Sequence, residues 1–161
     1  MKHFRACILT AILLFGATAC ETQEVIPSNN SDDQSEKNME NNEDGLFDSE
    51  WILTDYKNDH LASDLRNKAY LTMERGSGTV HLLSGRSFIN GYSGHFKLDE
   101  KKMTITSVDN IISTLMGGTP EQNAAEKQYF AHLMKATSYR LIGDSLIVNF
   151  GNHESGFFVR K

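Results

Sequence analysis

Histidine is the commonest metal ligand among protein side chains, and five histidines lie downstream of residue 50: His60, His81, His95, His132 and His153. A zinc site needs three or four converging ligands, usually with a short and recognisable spacing between some of them. No two of these histidines lie within five residues of each other, and the acidic neighbours Asp64 and Glu154 are commonplace. The sequence therefore predicts surface and strand histidines, with no metal and no cofactor.

Serines near histidines raise nucleophilic catalysis as a second kind of chemistry. Ser93 and His95 alternate in "YSGH", which in a strand puts both side chains on one face, and Ser84 opens "SGR". A catalytic serine also needs an orienting carboxylate and an oxyanion hole, and no G-x-S-x-G turn between strand and helix is present. The glycines of "STLMGGTP" precede a helix start, where an anion can bind, but turn and capping roles are favoured. We expect no catalytic residue and no enzyme activity.

Cys20 follows a short apolar run and four small residues. The basic residues Lys2 and Arg5 precede the run 6–16, which is shorter than the roughly 20 residues of a membrane-spanning helix. A basic start, a short apolar core and a small-residue cleavage site are typical of a secretory signal. Ala17-Thr18-Ala19-Cys20 resembles the lipobox of bacterial lipoproteins, although Ala17 replaces the usual leucine. The alternative is an ordinary signal peptide with a cysteine at its cut.

The lipobox resemblance implies that residues 1–19 are a signal peptide and that Cys20 carries the lipid that attaches the chain to a membrane. It places the protein in the cell envelope. The outer membrane is preferred because Glu21 gives no clear retention signal for the inner membrane, and the face is left open. The only other cysteine, Cys7, lies within the signal. The processed domain is therefore expected to contain no disulfide, no thiolate nucleophile and no cysteine-ligated metal.

The composition changes after Cys20. Residues 21–50 contain ten acidic residues against one base, Lys37, so we predict a disordered tether over residues 20–50. Residues 51–161 carry 13 Lys and Arg against 11 Asp and Glu, without a basic stripe interleaved with aromatic residues, so nucleic acid is not an expected partner. Their length fits one compact domain, which we expect to be monomeric.

The domain reads as short strands separated by turn signals. The strand-like runs are "WILTDY", "YLTM", "TVHLL", "HFKL", "MTITSV", "SYRLI", "SLIVNF" and "FFVR". Met103, Ile105 and Val108 are predicted to share one face, and "SLIVNF" suits a strand buried on both sides. The fold class is therefore α+β, mainly antiparallel β as a meander sandwich or incomplete barrel with one capping helix.

That helix is predicted over residues 120–136. Thr119 is the candidate N-cap, Pro120 occupies the first helical position, and Gln122 completes a capping box. One face carries the apolar residues Ala125, Tyr129, Phe130, Leu133 and Met134. His132 is expected to point toward the polar side. The helix should cover one face or mouth of the sheet.

The order of these elements resembles the META domain, or HslJ-like, family of small bacterial envelope proteins over residues 51–161. The passage from Phe130 through Tyr139 to Gly143-Asp144 is similar to the family pattern, with a one-residue shift at the helix end. Many members read "GCN-x-[FY]-x-G" and "T-x-M-A-C", where this chain has Ile89-Asn90-Gly91-Tyr92 and Thr114-Leu115-Met116-Gly117-Gly118. Both cysteines are replaced, by Ile89 and Gly118, which is understandable if the two positions lie close together.

The resemblance implies a small, often lipid-anchored domain associated with envelope stress and drug tolerance, and it supplies no active site. We therefore expect a non-enzymatic envelope protein that binds a protein or envelope component, and the alternative is a calycin-like module that binds a small ligand. Asn90, Tyr92 and Trp51 are the candidate binding or structural residues. Asn90 is expected to hydrogen-bond backbone that bends or bulges near its strand.

Overall fold

The computed structural model describes residues 45–161. The signal segment, Cys20 and the predicted tether up to residue 44 lie outside the described residues. Ten elements follow in chain order: β1 Glu50–Tyr56, β2 Tyr70–Glu74, β3 Val80–Arg86, β4 Gly91–Asp99, β5 Thr104–Ser107, β6 Ile112–Ser113, α1 Pro120–Met134, β7 Ser138–Ile142, β8 Ser145–Gly151 and β9 Glu154–Arg160. Every strand predicted from the sequence is present, and the two-residue β6 is additional.

The strands form a closed barrel of eight antiparallel strands. Their order is β3-β2-β1-β9-β8-β7-β5-β4, and β4 also pairs with β3 along the whole length of β3. Between β5 and β7 the pairing is short, with Thr104 opposite Ser138. β6 pairs with the beginning of β4 and is the last strand in the sheet order. The predicted fold class, α+β and mainly antiparallel β, is confirmed, and the architecture is the barrel.

Alternate residues of each strand point into the barrel, as the two-residue period of a strand requires. The interior is aliphatic and aromatic, and its fully buried members include Leu53, Leu71, Leu83, Phe96, Leu98 and Phe158. β8 alternates as well, since Leu146, Val148 and Phe150 are buried while the residues between them are half-buried. Burial of β8 on both sides was therefore a wrong expectation.

The expected shared face of Met103, Ile105 and Val108 is also wrong. Ile105 is buried, whereas Met103 and Val108 are exposed. The physical reason is that β5 spans only Thr104–Ser107. Met103 belongs to the preceding turn, with a φ of 51°, and Val108 lies beyond the strand.

The two ends of the barrel are closed by different segments. α1 covers the end where β4 begins, and its buried residues Ala125, Tyr129 and Leu133 face the core. The opposite end is filled by residues 45–49, here called the N-terminal plug, in which Leu46 and Phe47 are 3% and 2% exposed. The indole nitrogen of Trp51 donates to the Leu46 carbonyl at 3.1 Å. The folded domain thus begins before residue 51, where the sequence placed its boundary.

α1 confirms the predicted N-terminus and corrects one orientation. The Thr119 hydroxyl and the Gln122 side chain form the reciprocal capping box, and the helix ends at Met134. His132 does not point toward the polar side: its ring stacks on Phe150 with centroids 4.7 Å apart and meets Tyr56 edge-on at 4.7 Å. Positions 125, 129, 132 and 133 follow the i, i+3, i+4 spacing of one helix face, so position 132 shares the barrel-facing side.

Candidate functional site

Asn90 joins two segments that are distant in the sequence. It lies in the loop before β4 and is 3% exposed. Its side-chain oxygen accepts hydrogen bonds from the Thr114 hydroxyl at 2.7 Å and the Met116 amide at 2.8 Å. Its side-chain nitrogen donates to the Met116 carbonyl at 3.1 Å and to Glu126 at 2.7 Å. The backbone that Asn90 binds is that of Met116, 26 positions away, and not the backbone of its own strand as expected.

Glu126 on α1 completes this cluster with Ser87. One carboxylate oxygen accepts a hydrogen bond from the backbone amide of Asn90 at 2.9 Å and another from the Ser87 hydroxyl. Ser87 is fully buried. Partial burial favours a raised pKa for Glu126, but the hydrogen bonds from Ser87 and Asn90 outweigh it and lower the pKa. Glu126 is therefore an ionised group that fastens α1 to the loop before β4. We call Ser87, Asn90 and Glu126 the Asn90 cluster.

The segment that the Asn90 cluster holds, residues 111–118, carries the most exposed apolar side chains among the described residues. Leu115 is 97% exposed, Ile112 74% and Met116 57%. Thr114 and Met116, on either side of Leu115, are both bonded to Asn90, and the Thr114 amide also donates to the Gly91 carbonyl at 3.1 Å. Leu115 is therefore held out from the barrel by fixed neighbours. We call residues 111–118 the apolar loop.

The apolar loop has no charge of its own. Residues 110–120 contain no Asp, Glu, Lys or Arg. Several adjacent exposed apolar side chains on a soluble surface usually mark an interaction site.

Ile89 and Gly118, which stand where related sequences carry cysteines, are in contact. A Cβ atom built on Gly118 would lie 2.5 Å from Ile89 Cδ1. The isoleucine therefore fills the space that a second side chain would need, and only glycine leaves room for it. The expectation that the two positions lie close together is met.

The other two candidates from the sequence are core residues. Trp51 is fully buried near the N-terminal plug, and the Arg160 guanidinium lies 4.7 Å from the centroid of its ring. Tyr92 is buried under α1, where its hydroxyl lies 2.7 Å from that of Tyr129. Burial raises the pKa of the Tyr92 hydroxyl well above its usual value. Trp51 and Asn90 lie near opposite ends of the barrel and do not form one site.

The histidines and serines considered as metal ligands or catalytic residues do not lie together in one site. His95 pairs with Asp109 at 2.8 Å and His60 with Asp55 at 3.2 Å, both on the surface. Ser84 lies 3.0 Å from the Thr72 hydroxyl. Within residues 45–161, no group of three or more His, Cys, Asp and Glu side chains could hold a metal ion. The glycines before α1 serve the turn and the cap, where the Gly118 amide donates to Asn123.

The cavity described inside the barrel is small. A cavity of about 10 Å³ lies among aliphatic side chains and Tyr139, and its lining includes Leu46, Leu71, Met73, Leu83 and Leu133. This volume is at the lower limit for one water molecule, and small-molecule sites occupy hundreds of cubic ångströms. A cavity of this size inside the barrel counts against the calycin-like alternative.

The family model of the META domain matches residues 44–161, and the chain belongs to the META domain family. The match begins just before the N-terminal plug, in agreement with the burial of Leu46 and Phe47. The chain matches no curated protein.

Three solved structures share the fold. A protein from Burkholderia xenovorans is 17% identical with a TM-score of 0.56, over 85% of this chain and 99% of that one. A DUF4847 family protein from Bacteroides vulgatus is 16% identical with a TM-score of 0.50, over 73% of this chain and 95% of that one. A third protein, solved by NMR, is 19% identical with a TM-score of 0.52, over 72% and 92% of the two chains. At these identities the likeness concerns the fold alone.

No helix within residues 45–161 is long and apolar enough to cross a membrane.

Proposed function

We propose that this META domain protein is a lipid-anchored, non-enzymatic component of the cell envelope that binds another envelope component through the apolar loop and thereby supports tolerance of envelope stress. Its lipid is attached to Cys20, and the outer membrane is the preferred location. The domain itself is proposed to act as a monomer.

The observation that carries the proposal is the exposure of Leu115 between two residues fixed by Asn90. Keeping an apolar side chain in water gives no stability to the fold, whereas burying a leucine against a partner contributes about 1.5–3 kcal/mol. The buried polar cluster behind the loop limits the entropy that would be lost on binding. The lipobox-like sequence before Cys20 supports attachment to the membrane.

Replacing Cys20 tests the anchor. Intact-mass analysis of the protein extracted from cells should reveal acyl chains on a chain that begins at Cys20, and Cys20→Ala should move the protein to the soluble fraction. Membrane attachment of an unprocessed chain of unchanged mass would contradict the anchor.

Replacing Leu115 tests the binding surface. Leu115→Asn should keep the protein acylated and folded while it lowers survival of envelope stress in cells that depend on it. Val159→Asn, at another exposed apolar position, is the matched control and should behave as the parent. Equal survival with both variants would contradict a function of the apolar loop.

A further inference from the structure

We propose that the apolar loop docks into the surface of the same lipid bilayer that holds the acylated Cys20. This inference rests on the proposed function, since it names the envelope component that the apolar loop contacts. The domain then touches the membrane twice, once through the lipid chains and once through Ile112, Leu115 and Met116.

The backbone on both sides of Leu115 already has hydrogen-bond partners within the protein. A polar backbone group that enters the apolar part of a bilayer must already have a hydrogen-bond partner. The Met116 amide and carbonyl are both bonded to Asn90, and the Thr114 hydroxyl shares the same oxygen. The Gly118 amide and carbonyl are bonded to the Asn123 side chain at 3.3 and 2.9 Å. The loop therefore offers apolar side chains with paired backbone on both sides of its tip.

The charge distribution selects this loop over the second exposed apolar surface of the domain. Ile142 on β7 and Val159 on β9 are exposed on either side of Ser145 of β8, but Asp144, Arg160 and Lys161 lie beside them. Charged side chains are costly to bring into the bilayer. Residues 110–120 carry none, and the nearest acidic residues, Asp109 and Glu121, lie outside this stretch, with Asp109 paired to His95. The tip of the apolar loop therefore enters at the lower cost.

The length of chain before the domain fits the distance that must be covered. The N-terminal plug lies at the barrel end opposite α1, and the apolar loop leads into α1. β4 has nine residues, which correspond to about 30 Å along the strand. Residues 20 and 45 are separated by 25 residues, and the maximum reach of that many residues, about 80 Å, exceeds this span. The chain is therefore long enough for the apolar loop to meet the membrane that holds Cys20.

A fluorescent probe beside the loop tests the docking. Residues 21–161 contain no cysteine, and a Cβ at the exposed Gly117 would meet no atom within 4 Å, so Gly117→Cys provides a single labelling site that leaves Leu115 intact. The full-length acylated protein is labelled with an environment-sensitive dye and reconstituted in vesicles of phosphatidylethanolamine and phosphatidylglycerol. Ile142→Cys, labelled in the same way, reports on the competing surface.

We expect the dye at residue 117 to emit at shorter wavelength and to be quenched by nitroxide-labelled lipids, while the dye at residue 142 stays in water. Adding Leu115→Asn to Gly117→Cys should return the dye to water without releasing the protein. An aqueous dye at residue 117 in vesicle-bound protein, quenching at residue 142 instead, or shielding that needs an added envelope protein would each overturn bilayer docking.

The intact mass of the protein distinguishes failure of the proposed lipid anchor from failure of the docking. Protein that is not acylated at Cys20, as judged by its intact mass, would contradict the anchor and the docking together. Protein that is acylated and bound to vesicles, with residue 117 in water, would contradict the docking alone.

Discussion

Asn90 uses the whole hydrogen-bonding capacity of its side chain inside the protein. Its amide group offers two donors and two acceptor lone pairs, and all four have partners on Glu126, Met116 and Thr114. An aspartate at this position would lose both donors and place a second carboxylate against Glu126. The residue is therefore specified by its chemistry and not by its size alone.

Asn90→Ala should lower the free energy of unfolding by about 2–4 kcal/mol, because it leaves the buried groups of the cluster without partners. Amide hydrogen exchange at Met116 should become faster in the same variant. Asn110→Ala, at an exposed position in the neighbouring turn, should change the stability by less than about 0.5 kcal/mol. Unchanged exchange at Met116 in Asn90→Ala would contradict the role of Asn90 in holding the loop.

A buried histidine, His81, and a half-buried one, His132, make the stability depend on pH. His81 is 5% exposed and its Nδ1 accepts from the Gly76 amide at 3.2 Å, while the Nδ1 of His132 is buried without a hydrogen-bond partner. Burial lowers the pKa of both imidazoles. Since the unfolded chain binds protons at higher pH than the folded one, the stabilisation is complete above the unfolded pKa, about 6.5, and is lost as the pH falls toward the folded values.

Urea unfolding between pH 8 and pH 5 should therefore yield a free energy of unfolding that decreases below about pH 6.5. His132→Phe keeps an aromatic ring against Tyr56 and Phe150 and should reduce this slope, whereas His153→Gln on the exposed β8–β9 turn should leave it unchanged. A stability that rises on acidification in this range would contradict the assignment.

At the scale of elements, the contact between Ile89 and Gly118 joins the loop before β4 to the start of α1. The combined variant Ile89→Cys with Gly118→Cys should form a disulfide under oxidising conditions, because the Cβ of residue 118 lies against the side chain of residue 89. Closing a loop of about 30 residues should stabilise the domain by about 3–4 kcal/mol.

The thermal midpoint of this variant, measured with and without reductant, checks the expectation. Gly118→Ala is the matched control and should destabilise the domain by about 1–3 kcal/mol, because its methyl group overlaps Ile89. Free thiols in the oxidised double variant, or a thermal midpoint that reductant does not lower, would contradict the close contact between positions 89 and 118.

The sequence predicts elements well where the pattern is local. The strands follow from alternation and turn residues, and the helix start follows from Thr119, Pro120 and Gln122, whose capping box is formed as expected. β6 was not predicted because two residues are too few to show the alternation of apolar and polar side chains that marks a strand. The inward orientation of His132 depends on the gap between Tyr56 and Phe150, which no local pattern contains.

The candidate site could be predicted only in part. Asn90 was identified because it stands in the family pattern, and its backbone partners were expected to be irregular. The role of Glu126 could not be predicted from its neighbours on the helix, because its partner Asn90 lies 36 positions away. The exposure of Leu115 could not be predicted, since an apolar residue in a loop is equally compatible with a buried position. The role of Glu126 and the exposure of Leu115 both depend on contacts between residues that are distant in the sequence.

At the scale of the whole molecule, stability depends on closing the barrel at both ends. Phe47→Ala removes a fully buried ring from the N-terminal plug and should cost about 3–5 kcal/mol of unfolding free energy. Leu115→Ala removes a side chain of similar character from an exposed position and should cost less than about 0.5 kcal/mol. Denaturant titration of both variants measures the difference, and equal stabilities would contradict the part played by the plug.

The last residue of the chain lies next to the first strand. The Lys161 amide donates to the Glu50 carbonyl at 3.0 Å, and its ammonium group lies 3.0 Å from the Glu50 carboxylate. Both termini of the folded domain thus leave from the same pole of the barrel. An affinity tag added after Lys161 would couple the domain to a sensor chip by that pole, and the opposite pole would face the sample.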